Sequence, residues 1–354
     1  MDIRDLFRAQ GKHLFWARLN DDRIDPSAPG VTLQPHDAYY VIRLKEMYLA
    51  RTRTLWRKSY PVLYGVFNHA ADTEYGVAGP GQLKDLGDVN LENVLTVDYR
   101  LAGPTVYTGE EFTLLVGLYS VPGQDAAKAL ISTVSAVAAI GGIALAQAAS
   151  IANVVKQGVE SLLNLDTTGL VLGIQKGFAQ GRLETGTYVG IGAPEASIPV
   201  SRLWLSGGRL KQGLDPIAST AYEDSDYMVL DIETLDRRED WPRLPGVAEF
   251  QQKFGAVMRD GATSVSEKRE RLALLWPQFE QVIAESSLLT RPDRERIKGN
   301  VSADLAGRLD AMATKNPFET RAWGSKTTER QAPEEFDLAE VGDYPAQAKV
   351  PAFR

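Results

Sequence analysis

The sequence predicts an α+β protein: an antiparallel β-sandwich interrupted by an Ala-rich helical hairpin and followed by a helical C-terminal region. Three observations carry this expectation. Runs rich in aromatic and branched residues, separated by Gly and Pro turns, fill the chain from His36 to Val121, as strands of a sandwich do. Between Lys128 and Lys156 there is no charged side chain, and large apolar residues recur at helical spacing. From Gly246 the apolar residues again fall on one helical face, and this pattern persists to about Thr314.

The elements follow in order. Residues 1–36 read as an N-terminal leader in which Leu14–Leu19 forms one short strand, and Asp25–Gly30 is a loop. The region 37–245 reads as the sandwich. Its first strands are expected at Tyr39–Leu49, Leu63–His69, Val94–Leu101 and Phe112–Val121, with turns at Ala78–Gly81, Ala102–Pro104 and Thr108–Glu110. A hairpin is expected over 125–164. Leu130, Val134, Val137 and Ile140 mark its first helix, Ile143, Ile151 and Val155 belong to its second, and Gly141-Gly142 sits where a reversal is easiest. Strands resume at Gly186–Ile191, Arg202–Leu205 and Asp226–Thr234.

A helical region, 246–315, comes next. Val247, Phe250, Phe254 and Val257 share a face, and Ser264 with Glu267 has the spacing of a capping box ahead of Arg271–Trp276. Pro277 is expected to divide or kink that element, and Thr290 to cap a last helix with Pro292 in its first turn. The polar, proline-studded segment 316–354 reads as a flexible tail.

Composition narrows the function classes. The chain has 354 residues and a formal net charge of −7, so its overall field repels nucleic acid. Without cysteine it has no disulfide, no thiolate metal site and no cysteine nucleophile. The start lacks the basic segment and apolar core of a secretory signal, which points to the cytoplasm. Arg51, Arg53, Arg57 and Lys58 around Trp56 form a candidate anionic-surface patch, or else a solvated face balanced by carboxylates. The three histidines, His13, His36 and His69, are scattered and have no carboxylate at ligand spacing.

Short motifs add little chemistry. Met228–Thr234 resembles the first motif of the DnaQ-like exonucleases, and that resemblance implies that Asp231 and Glu233 hold catalytic divalent metals. The rest of the family's pattern is missing: no histidine follows His69, and Tyr344 has no aspartate at the required offset. Leu205–Gly208 looks like the signature of ABC ATPases, but no phosphate loop accompanies it, so a tight turn at Gly207-Gly208 is expected. Ala102–Tyr119 is similar in texture to the strand–turn–strand units of C2 domains, although Asp85, Asp88 and Asp98 are too dispersed for a calcium cluster.

The expected function is that of a non-enzymatic protein-interaction or adaptor module with no cofactor. The alternative is a membrane-active effector whose uncharged stretch 129–155 is released by a partner or by proteolysis. A run of that length can cross a bilayer, because about 20 apolar residues span the hydrocarbon core.

Overall fold

The computed structural model describes residues 15–25, 29–50, 53–54, 57–69, 72–79, 94–122 and 169–315. The chain divides into two compact units, Met1–Leu235 and Asp236–Arg354. Its content is mixed α+β, with three sheets, mostly antiparallel, and three α-helices among the described residues. The expected hairpin 125–164, with Leu130, Val134, Val137, Ile140, Ile143, Ile151 and Val155, lies outside the described residues, as does the tail 316–354.

The first unit holds the strands β1 (Phe15–Arg18), β2 (Ile24–Asp25), β3 (Tyr39–Tyr48), β4 (Arg53–Thr54), β5 (Arg57–His69), β6 (Asp72–Ala78) and β7 (Val94–Val106). They are followed by β8 (Phe112–Pro122), β9 (Gly169–Phe178), β10 (Gly186–Ile191), β11 (Leu203–Ser206), β12 (Arg209–Gln212), β13 (Thr220–Ala221) and β14 (Tyr227–Leu235). The first sheet has the order β1-β10-β14-β3-β7 and is antiparallel throughout. The second runs β4-β5-β8-β9, with β6 also paired to β5. The third runs β13-β12-β11-β2, and its β11–β2 pair is parallel.

Alternation along the strands decides which residues meet. Ile42 and Leu44 of β3, Leu63 and Phe67 of β5, Val116 of β8 and Leu230 of β14 all belong to one core, which is thus shared by the first and second sheets. On its other face the first sheet offers Tyr48, Val189, Ile191 and Val229, which share a second core with Leu203, Leu205 and Leu210 of the third sheet. Farther along that face the side chains are charged.

Several elements differ from expectation. Phe15–Arg18 and Ile24–Asp25, inside the expected leader, are strands of the first and third sheets: Phe15 pairs with Ile191, and Ile24 pairs with Leu205. Ala102–Pro104 is not a turn but part of β7, which continues to Val106. There the register slips, Gly103 takes φ +83°, and the Glu74 carboxylate accepts hydrogen bonds from the Gly103 amide and the Thr105 hydroxyl. An external carboxylate thus satisfies backbone that the strand irregularity leaves without a ladder partner. β6 and β9 were not expected. β9 lacks a clean alternation: Gln175, Lys176 and Gly177 are exposed in succession after a buried run.

The second unit contains α1 (Val247–Arg259), α2 (Val265–Glu285) and α3 (Arg291–Lys315). The face Val247, Phe250 and Phe254 is buried as its spacing predicts, and Val257 packs against the same core. The capping box is present: Ser264 Oγ accepts from the Glu267 amide, and Glu267 accepts from the Ser264 amide. Thr290 Oγ1 likewise accepts from the Asp293 amide at the start of α3. Pro277 does not divide α2, which is continuous from Val265 to Glu285; the proline sits at an exposed position, where the carbonyl it leaves unpaired can meet water. Among the described residues no helix is long and apolar enough to cross a membrane.

Candidate functional site

The outer face of the first sheet carries the carboxylates that the exonuclease-like motif singles out. Asp231 lies opposite Arg43 in the β14–β3 ladder, and Glu233 lies one step further along the same face. Lys45 Nζ reaches Asp98 at 2.8 Å, Glu233 at 3.0 Å and Asp231 at 3.5 Å. Arg43 Nε donates to Asp98 at 2.8 Å, and its other nitrogen donates to the Asp98 carbonyl at 2.7 Å. Asp98 sits at φ +41° in an irregular stretch of β7, which places side chain and carbonyl together before the two cations.

The titration shifts follow from this geometry. Burial disfavours the Lys45 ammonium, but the Asp98 hydrogen bond and the Glu233 charge outweigh it, and the pKa rises. Burial alone would raise Asp98; hydrogen bonds from Arg43 and Lys45 reverse that and lower it. Glu233 stays above the usual carboxylate range because its burial exceeds what Lys45 and Arg43 return. Each acid here faces a protein cation, and among the described residues no group of three or more His, Asp or Glu side chains is placed to hold a metal ion. Asp231 and Glu233 are held in a half-buried ion-pair ladder with Lys45 and Arg43.

Replacing Lys45 by Met tests this ladder. The variant should lose about 1–2 kcal/mol at neutral pH, an exposed pair's value raised by partial burial. Without the ammonium the Asp98 pKa moves up from its lowered position and that of Glu233 rises further, so the deficit opens as pH climbs through their titration. The deficit should shrink near about pH 4. A deficit that is constant with pH in urea titrations would show that Lys45 acts by packing alone.

The remaining nominated residues are placed as follows. Arg51 lies outside the described residues, while Arg53 pairs with Lys58, and Thr54 with Arg57, across a reversal between β4 and β5. These basic positions therefore lie on two antiparallel strands and not on one continuous strand. His69 is a buried side chain whose Nε2 lies 3.0 Å from the Thr108 hydroxyl and whose ring lies beside Tyr40 and Tyr107. His36 occupies a turn at φ +64°, and His13 lies outside the described residues. Gly207 and Gly208, both at positive φ, form the two-residue β11–β12 turn, as expected.

Two features around the third sheet had no sequence signal. The first is Glu46 of β3, with 0% exposure. Its carboxylate accepts from the Leu210 amide at 2.6 Å and from Arg209 Nε at 3.3 Å, tying β12 to the first sheet. Burial raises the Glu46 pKa, only partly offset by Leu210, Tyr227 and Arg209, and burial together with the Glu46 charge raises that of Tyr227.

The second is the loop from Gly213 to Ser219 between β12 and β13, which displays Leu214 at 79% and Ile217 at 96% exposure. Its backbone is braced from within. Asp215 Oδ1 accepts from the Ile217 amide at 3.0 Å and from the Ala218 amide at 2.8 Å, and Ser219 Oγ donates to the Pro216 carbonyl at 2.9 Å. The Gly213 amide donates to the Arg202 carbonyl, and its own carbonyl accepts from Trp204 Nε1. A Cβ at Gly213 would meet Ser219 Cα at 2.6 Å, so only glycine lets the loop ends approach this closely. Beneath the tip lies a cleft of about 360 Å³ lined by Arg202, Gln212, Thr220, Glu223 and Asp224. Behind it the Arg23 guanidinium covers the Trp204 ring at 4.1 Å.

Comparison with protein-family models, with curated proteins and with solved structures finds no match to this chain.

Proposed function

We propose that the chain is a non-enzymatic protein-interaction module built on a β-sandwich, with the Leu214–Ile217 tip as its docking element. The observation that carries this reading is two aliphatic side chains almost fully in water on a loop fixed by its own hydrogen bonds. Docking such residues into a pocket gains about 1.5–3 kcal/mol each, and the ordering cost is small because the loop is already held in place. The sandwich arrangement is supported by the single core to which the first and second sheets both contribute.

Charge selects the class of partner. Asp215 is in the tip, and Glu223 and Asp224 flank the cleft against a single cation, Arg202. Such a tip is repelled by anionic lipid and complements an apolar pocket rimmed by Lys or Arg on a protein.

A photoreactive residue at Ala218 tests the proposal in the intact chain. It should yield one discrete protein adduct in cells, lost in the L214S/I217S chain, while the same residue at the exposed Glu270 yields none. The double substitution removes exposed side chains only and should change stability by no more than about 0.5 kcal/mol. Adducts that survive L214S/I217S, or adducts with lipid in place of protein, would overturn the assignment.

A further inference from the structure

The cleft beneath the β12–β13 loop is assembled from three neighbouring strands of the third sheet. Gln212, the last residue of β12, pairs with Leu203 of β11 on one side and with Thr220 of β13 on the other. Arg202, just before β11, therefore reaches the cleft from one side of β12. Glu223 and Asp224, just after β13, reach it from the other. Neighbouring strands lie about 4.8 Å apart, which sets the backbones of β11 and β13 roughly 10 Å from each other. Among the described residues none of these three charges is in an ion pair, and the side chains of Gln212 and Thr220 make no hydrogen bond. Charges of opposite sign are thus held apart by the width of the sheet, with unused donors and acceptors between them.

This arrangement selects a ligand. A dication would meet Arg202 and a dianion would meet Glu223 and Asp224, each a like-charge contact. A complementary ligand carries one charge of each sign at its two ends. Between the ends it needs a group that both donates and accepts, because the Gln212 carboxamide and the Thr220 hydroxyl each do both. A peptide group has that character. A dipeptide, at about 3.3–3.6 Å per residue, places its free termini within the roughly 10 Å between β11 and β13. The cleft volume of about 360 Å³ lies in the range of small-molecule sites. The apolar contact is also placed: Leu214 lines the cleft and follows Gly213, whose amide donates to the Arg202 carbonyl. An aliphatic side chain therefore belongs at the carboxylate end of the ligand.

We propose that this cleft binds a zwitterionic dipeptide with an aliphatic C-terminal residue. Its carboxylate meets Arg202, its ammonium lies against Glu223 and Asp224, and its peptide group bonds to Gln212 and Thr220. The site lies beside the Leu214–Ile217 tip but does not rest on the tip's docking, and its test involves no protein partner.

Calorimetric titration of the full chain with glycyl-leucine tests the site. Binding with a Kd of about 1 mM or tighter is expected, and the reversed peptide, leucyl-glycine, should bind more weakly. Acetylating the amine of glycyl-leucine, or amidating its carboxylate, should each weaken binding about tenfold or more, the usual worth of a hydrogen bond to a charged group. R202Q should remove the difference between the free and the amidated peptide, and E223Q/D224N the difference between the free and the acetylated one. All three side chains are exposed, so these variants keep the fold, and the capped peptides decide the matter on the natural chain alone. No binding of glycyl-leucine would overturn the assignment, as would capped peptides that bind equally well or variants with unchanged affinities. Sensitivity to one cap only would also overturn it, since the cleft would then take the chain end of a larger partner instead of a free dipeptide.

Discussion

Replacing Glu46 by Ala lowers the stability of the first unit by about 3–5 kcal/mol, the cost of breaking a buried charged contact by removing one side. Three losses combine. The Leu210 amide is left without its acceptor, Arg209 loses its anion, and a void opens beneath Tyr227. Hydrogen exchange should report the damage first in β3 and β12, the two strands that the carboxylate joins.

The isosteric change Glu46→Gln separates charge from shape. Burial raises the folded pKa of Glu46 above its ordinary value of 4.5, so the folded chain holds this proton after the unfolded chain has released it. That contribution is harmless below the unfolded pKa and erodes stability as pH rises toward the folded pKa. Glu46→Gln keeps an acceptor for the Leu210 amide and has no proton to lose. Its stability should therefore be flatter than that of the natural chain across the window above pH 4.5. Parallel curves from urea unfolding at several pH values would mean that Glu46 does not titrate in that window.

Phe254→Ala should be comparably severe, about 3–5 kcal/mol, and confined to the helical unit. Phe254 is fully buried, with its ring centroid 5.5 Å from Phe279, 6.0 Å from Phe250 and 6.5 Å from Trp276. With Phe250, which also packs on Phe279, it joins α1 to α2, and a methyl group cannot span that gap. Exchange protection should fall along both helices. Leu274→Ala, at a position 74% exposed on α2, should change little. Equal losses from the two substitutions would contradict the packing described here.

What could be read from sequence was local. The Ser264–Glu267 box, Thr290 before α3 and Gly207-Gly208 each complete their structure within a few residues, so spacing is enough to find them. The strands β3 and β8 were legible because they are rich in branched and aromatic side chains. β9 was not, because Gly173, Gly177 and the exposed Gln175-Lys176 pair break its pattern. Gly103-Pro104 was misread as a turn because the sequence does not reveal that Glu74 replaces the lost ladder bonds. Leu214 and Ile217 are ordinary core residue types, and only the fold shows that they face water. Glu46 has no local signal, because only the fold brings β12 over it.

The ladder of the first sheet sets a timetable for biosynthesis. β1 pairs with β10, where Phe15 meets Ile191, and β3 pairs with β14, where Tyr48 meets Tyr227. On a ribosome moving at about 5–20 residues per second, the early strands wait roughly 10–40 s before their partners are made. Throughout that interval Tyr39–Tyr48, with its run of aromatic and branched side chains, lacks its β14 neighbour. A nascent chain with such an edge is a natural client for a holding chaperone, and its yield in a cell should depend on translation speed more than its final stability suggests.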